Sequence, residues 1–147
     1  SSAASDVYKR QMQTMCEGIF ACGNVVHVHD LVDFVTAESM KAGAAAAAYA
    51  LGRRATGRTL DIIPGEGVNY TVPQKLRPDN VSPTAEIFFR TNRPRGASRI
   101  TVTSGDRVIA SFMRARMAPG EMEKISLLPK LLESAGNSLT VSVSDEV

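Results

Sequence analysis

The sequence has little of several residue types that mark whole classes of protein. It holds no tryptophan, 5 phenylalanines and 3 tyrosines in 147 residues, too few aromatic rings for a surface that stacks single-stranded nucleic acid. Its 2 cysteines, Cys16 and Cys22, cannot staple a secreted scaffold, and their spacing is not that of a C-x-x-C redox pair. The 17 basic and 15 acidic side chains leave a net charge of +2, which is too weak to indicate a nucleic-acid partner.

No run of apolar residues approaches the length of a membrane span. The longest stretch without charged or strongly polar side chains covers residues 42–51, whereas a spanning helix needs about 20 residues. The amino-terminal residues lack the basic and then apolar order of a secretory signal peptide. We therefore expect a cytoplasmic protein without a membrane span, whose 44% of hydrophobic residues supply the core of one ordinary domain or two small ones.

The chain divides into three parts. Residues 6–11 (DVYKRQ) resemble the translated end of an adapter used in sequencing libraries, so residues 1–11 are interpreted as a non-native segment. Residues 12–57 are expected to be the last segment of a larger domain that begins upstream. Residues 58–147 are expected to form a separate β-rich domain.

Residues 12–57 predict a strand, a turn and a helix. Gly18–Cys22 (GIFAC) is a short apolar run typical of a buried parallel strand, and the turn pair Gly23-Asn24 follows it. Apolar residues then recur every three or four positions over Leu31–Leu51, which predicts one helix. Because glycine is a poor helix former, we expect Gly43 where the helix touches another backbone.

Residues 58–147 consist of short apolar runs separated by Pro, Gly, Asn and Asp turn signals. The predicted strands are Leu60–Ile63, Val68–Val72, Ala85–Thr91, Arg99–Thr103, Arg107–Met113, Met122–Leu127 and Leu139–Val143, and Pro129–Ser134 predicts one helical turn. So many short strands in one segment predict a small antiparallel β-sandwich-like domain, and the fold class of the whole chain is therefore α+β.

The strand–turn–helix segment resembles the last FAD-binding segment of the flavoprotein pyridine-nucleotide oxidoreductases, the class of thioredoxin reductase and the disulfide reductases. The resemblance rests on residues 18–24 (GIFACGN) and 26–50 (VHVHDLVDFVTAESMKAGAAAAAYA). In that family an apolar strand ends in Gly-Asp and a helix with small residues follows; here Gly23-Asn24 stands at the Gly-Asp position. The segment is most similar to a group of NAD(P)/FAD-dependent oxidoreductases, some of which are linked to glycerol-3-phosphate metabolism.

The resemblance implies a cofactor and a set of residues that contact it. The segment would be the remnant of a FAD-binding α/β domain, with NAD(P) bound by a missing upstream domain. Gly23 would let the backbone approach the FAD, and Asn24 would hydrogen-bond a ribityl hydroxyl. Leu31, Val32 and Asp33 would lie at the pyrimidine edge of the flavin and act chiefly through their backbone. No catalytic residue is assigned.

The full-length enzyme would transfer hydride between a pyridine nucleotide or a partner and the flavin, and its small-molecule substrate is not encoded here. The chain contains no G-x-G-x-x-G. We therefore expect this polypeptide alone to be inactive and not to bind FAD tightly.

His27-x-His29 admits a second interpretation, because two imidazoles at this spacing on a strand bind zinc in some hydrolases. Such sites need further ligands downstream, and the chain has 2 histidines in total. We therefore expect no metal and interpret both histidines either as loop residues or neighbours of the flavin, or as residues with a plain structural role. Beside a flavin, His29 would modulate it near neutral pH.

Two further alternatives stay open. Arg90, Arg93, Arg95 and Arg99 cluster across one turn, which indicates either an anionic partner or a solvated loop balanced by acidic residues. The β-rich domain is either an accessory of the flavoenzyme or a non-enzymatic interaction module, with a partner subunit or a second copy of the chain as its partner.

Overall fold

A computed structural model describes residues 12–14, 16–53 and 56–146, and the non-native segment expected at 1–11 lies outside them. Within these ranges the chain is an α+β protein. The helices are α1 (Val32–Ala50) and α2 (Pro129–Glu133). The strands are β1 (Leu60–Pro64), β2 (Val68–Val72), β3 (Lys75–Leu76), β4 (Ala85–Thr91), β5 (Ser98–Ser104), β6 (Arg107–Arg114), β7 (Glu123–Leu127) and β8 (Ser138–Asp145).

The strands form two sheets, a five-stranded one with the order β3-β1-β8-β5-β6 and a three-stranded one with the order β2-β4-β7. The three-stranded sheet is antiparallel, as expected, but β1 pairs with β8 in parallel, so the larger sheet is mixed. The expectation of a purely antiparallel domain is wrong at this pair. Alternating burial predicts which residues face a core, and it carries no information on which distant strand lies alongside or in which direction.

One apolar core lies between the two sheets. The alternating burial of β4 places Ala85, Ile87, Phe89 and Thr91 inside and leaves the residues between them on the outer face. Ile100 of β5 and the inward residues of β8 contribute to the same core from the other sheet. Burial of such side chains is the main favourable term that holds two sheets together.

Helix α1 begins and ends within one residue of its predicted bounds, and it is largely exposed. Ala42 is the buried residue of this helix, all of which lies in the described part of the chain. Gly43 is exposed, and a methyl group added there would meet no atom of the described residues within 4 Å. The expectation that Gly43 touches another backbone is therefore wrong for this chain. The described helices include none that is long and apolar enough to span a bilayer.

The strand predicted at Gly18–Cys22 is not formed. Phe20 makes a single antiparallel bridge to Gln13, and the Thr14 N–H and the Ile19 carbonyl are hydrogen-bonded at 2.8 Å. A buried parallel strand needs neighbouring strands on both sides, and the described part of the chain supplies only residues 12–14 next to this run. The run instead lies along α1, with the rings of Phe20 and Tyr49 in edge contact at 5.8 Å.

Candidate functional site

A tight turn precedes α1 and fixes the segment that carries the candidate residues. Gly23 begins a 3-10 turn with φ of +73°, a left-handed conformation that favours glycine. Its N–H donates a hydrogen bond of 3.2 Å to Glu38 Oε1 on the second turn of α1. The Asn24 side-chain oxygen accepts a hydrogen bond of 3.4 Å from the His29 N–H. The first of these bonds holds the turn against the helix, and the second holds it against the loop that leads to the helix.

Two imidazoles and one carboxylate converge between this turn and α1. His27 Nε2 lies 2.9 Å from Glu38 Oε2 and is hydrogen-bonded to it. His29 Nε2 lies 2.5 Å from the same oxygen, so both imidazoles contact Glu38. The side chains of His27, His29 and Glu38 are 3%, 6% and 11% exposed, so the cluster is nearly closed to water.

Burial and the neighbouring groups set the charges of this cluster. Burial, with the charge of His27 beside it, lowers the pKa of His29 below 6.5. Burial alone would raise the pKa of Glu38, but the hydrogen bond from His27 and the adjacent imidazoles outweigh it and lower that pKa. The lowered pKa of His29 favours its neutral form, and the lowered pKa of Glu38 favours its ionised form.

Asp30 attaches the segment to the β-domain. Its Oδ1 accepts a hydrogen bond of 2.7 Å from Arg90 Nη2 on the outer face of β4, and its Oδ2 accepts one of 2.7 Å from the Met122 N–H. Arg90 also donates to the Val28 carbonyl at 3.1 Å and to the Tyr70 hydroxyl at 3.0 Å. Burial would raise the pKa of Asp30, but these hydrogen bonds and the charge of Arg90 lower it.

The residues that the flavoprotein resemblance singles out divide into a buried one and four exposed ones. Gly23 is buried, and its N–H is already bonded to Glu38. Asn24 and Asp33 are exposed, and Leu31 and Val32 are 59% and 78% exposed although both are apolar. Among the described residues no side chain caps the amino end of α1. Asn24 thus contacts His29 in the loop that leads to α1, and the amino end of α1 has no side-chain cap among the described residues.

The other arginines of the cluster at the β4–β5 turn pair with carboxylates. Arg93 and Arg95 both bind Asp145 at the end of β8, the latter at 2.9 Å, and Arg99 binds Glu146. Because each guanidinium already has an anionic partner inside the chain, the solvated, internally balanced loop describes this cluster better than an anion site does.

Glu38 is the residue that sequence reasoning missed. It lies three residues after Val35 and four before Ala42, so the helical spacing places it in the stripe of residues that faces the turn. A carboxylate in such a stripe, nine residues after His29, was the available signal for a third potential ligand. His27, His29 and Glu38 each offer one ligand atom, and these atoms lie within 4.8 Å of one another.

Cys16 and Cys22 are both free cysteines. Comparison of the chain with protein-family models, with curated proteins and with solved structures gives no match.

Proposed function

We propose that this chain is the C-terminal part of an FAD-dependent oxidoreductase and that it contributes one wall of the flavin site. The observation that carries the proposal is the open amino end of α1, where Leu31 and Val32 are exposed without a capping side chain among the described residues. Apolar side chains around unpaired backbone N–H groups fit a planar, partly polar ring system better than they fit water.

The Asn24 amide and the amino end of α1 suit such a group, whereas Gly23 and Asp33 do not. Asn24 retains its side-chain amide as a hydrogen-bond donor for a hydroxyl, because only its oxygen bonds to His29. The first turn of α1 offers N–H groups and the positive end of the helix dipole. Gly23 fits only as the residue that makes the bend, since Glu38 already accepts its N–H.

When bound, the flavin supplies hydride transfer, and the chain supplies position and electrostatics. The amino end of α1 places partial positive charge next to Val32, which stabilises negative charge that develops there. The Asp33 carboxylate, one residue on, opposes part of this effect. With the flavin bound, Leu31 and Val32 would exclude water from the part of the ring that they contact.

The exposure of α1 supports the proposal that an upstream domain packs on it. A helix of this length in a folded protein normally buries one face, and its stability comes mainly from that packing. Here the alanine run at 44–48 presents small side chains on a helix with a single buried residue, Ala42. Small side chains allow a sheet or a second helix to approach closely.

The test is to express a longer protein that includes the residues encoded upstream of residue 12. We expect two G-x-G-x-x-G units upstream, each after a predicted strand, and a protein that retains yellow flavin through gel filtration. The present chain serves as the control and is expected to remain colourless. An unrelated upstream domain, or a folded and colourless longer protein, would contradict the proposal.

One observation favours the β-domain as a dimerisation module. Strand β6 is an edge of the larger sheet, and its Val108 and Met113 are 59% and 53% exposed. Unpaired edges with exposed apolar residues are templates for pairing with a second copy. Light scattering would then report a dimer that Val108→Lys converts to a monomer, whereas a wild-type monomer at high concentration would refute this function.

A further inference from the structure

The cluster of His27, His29 and Glu38 brings two imidazole nitrogens against one carboxylate oxygen. Glu38 Oε2 accepts a hydrogen bond of 2.9 Å from His27 Nε2, and His29 Nε2 lies 2.5 Å from the same oxygen. The three side chains are 3%, 6% and 11% exposed, so little water reaches them. Buried ionisable groups in folded proteins are paired with one another or coordinate a metal ion.

The three side chains are held in place by neighbours that leave their converging atoms available. Glu38 Oε1 accepts the Gly23 N–H, so the other carboxylate oxygen is turned toward the two rings. The ring of His27 packs against Phe88 of β4 at 6.0 Å. The Asp30–Arg90 contact anchors the residue that directly follows His29. Such supporting contacts are what orients ligand side chains in metal sites.

We propose that His27, His29 and Glu38 bind a divalent transition-metal ion of the zinc class through two imidazole Nε2 atoms and one carboxylate oxygen. Two nitrogen ligands favour zinc, cobalt or nickel over calcium and magnesium, which prefer all-oxygen sites. Three protein ligands leave the fourth tetrahedral position of the zinc ion to water. Structural zinc sites, in contrast, have four protein ligands. This site adjoins the proposed flavin wall through the Gly23–Glu38 and His29–Asn24 hydrogen bonds, but metal binding requires no flavin.

The observed separations suit an ion of this size. Ligand atoms at about 2.0–2.2 Å from a tetrahedral zinc ion lie about 3.4 Å from one another. The two nitrogen–oxygen separations of 2.9 Å and 2.5 Å therefore have to widen by less than about 1 Å. Rotation of the Glu38 carboxylate and of the His29 ring provides this change without moving the backbone.

The test uses the present chain without a histidine tag, treated with a chelator and then titrated with Zn²⁺ in a calorimeter. We expect one equivalent of zinc per chain and an increase in the thermal midpoint on binding. Co²⁺ in place of Zn²⁺ is expected to give the visible absorption bands of a four-coordinate site with mixed nitrogen and oxygen ligands. A folded wild-type chain that binds no stoichiometric zinc would overturn the proposal.

Two variants separate ligation from folding. His29→Asn removes one proposed ligand nitrogen together with its contact to Glu38. We expect the variant to keep its fold by circular dichroism and to lose zinc affinity by more than about tenfold. Glu38→Gln is expected to lose affinity to a similar extent. The matched control is Glu121→Gln, which removes a surface carboxylate that pairs with Arg116. This variant should bind zinc with the affinity of the wild type. Equal zinc binding by His29→Asn and wild type would overturn the assignment.

Discussion

Asp30 and Arg90 are 60 positions apart in the chain, and their side chains meet at 2.7 Å. This contact joins the loop before α1 to the outer face of β4. The Arg90 side chain is 12% exposed and the Asp30 side chain 34%, so the pair is partly shielded from water. The hydrogen bond from the Met122 N–H to Asp30, the one from Arg90 to the Val28 carbonyl and the packing of the His27 ring on Phe88 add to this ion pair, which is therefore one of several contacts that position the loop.

Arg90→Ala is expected to lower the free energy of unfolding by about 2 kcal/mol, because it removes hydrogen bonds to a charged group and leaves Asp30 without its guanidinium partner. Urea unfolding followed by circular dichroism measures this change. The control is Arg116→Ala, which removes an exposed pair with Glu121 and should change stability by less than about 0.5 kcal/mol. Equal effects of the two variants would show that the Asp30–Arg90 contact contributes no more than a surface pair.

The two glycines at and near α1 should respond in opposite directions to replacement by alanine. Gly23→Ala is expected to destabilise the chain by about 1 kcal/mol, because φ of +73° is unfavourable for a residue with a Cβ. The space around Gly23 is not the reason, since among the described residues the added methyl would meet only Val35, at 3.8 Å. If Gly23→Ala left the stability of the chain unchanged, the turn would have to adopt another conformation.

Gly43→Ala is expected to stabilise the chain by about 0.5–1 kcal/mol, because alanine has the higher helix propensity and the added methyl has open space around it. Thermal unfolding of the two glycine variants side by side measures both signs. Destabilisation by Gly43→Ala would indicate that α1 packs on a surface at this position.

Acid should weaken the end of β8. Hydrogen bonds from Arg93 and Arg95 hold the pKa of Asp145 below its usual value of 3.8. A carboxyl with a lowered folded-state pKa contributes stability above its unfolded-state pKa, and this contribution is lost as the pH falls toward the folded-state value. The urea concentration at the unfolding midpoint of the wild type is therefore expected to decrease as the pH is lowered from about 5 to about 3.

Asp145→Asn isolates this contribution from those of Asp30 and Glu38, whose pKa values are lowered as well. The variant should lose less stability over the same pH range, and the difference should shrink in high salt because the Asp145 side chain is 44% exposed. Parallel pH profiles of the two proteins would rule out a stabilising role for this carboxylate.

The local elements were predictable from the sequence, and the contacts between them were not. Helix α1 and strands β2 and β4 match their predicted ranges closely, because periodicity and turn residues report local structure directly. The two-residue strand β3 was missed, since two residues carry no period. The parallel pairing of β1 with β8 joins the two ends of the β-domain and leaves no mark in either strand.

The candidate site shows the same division. The sequence identified His27 and His29 as a pair, but their meeting with Glu38 depends on how the Gly23 turn folds back on α1. The expected strand at Gly18–Cys22 failed because an apolar run predicts a strand only where neighbouring strands are present. The exposure of Leu31 and Val32 could not be deduced either, because apolar residues at helical spacing normally predict burial.

The most direct measurement of the central claim is the flavin reduction potential of the longer protein with Val32→Glu and with Val32→Gln. Val32 is 78% exposed, so both substitutions should fold, and they differ only in charge. If the amino end of α1 lies at the flavin edge, the added carboxylate disfavours the negative charge of the reduced ring, and the glutamate variant has the more negative potential. Equal potentials in the two variants, with flavin bound, would contradict the claim that this helix end faces the flavin.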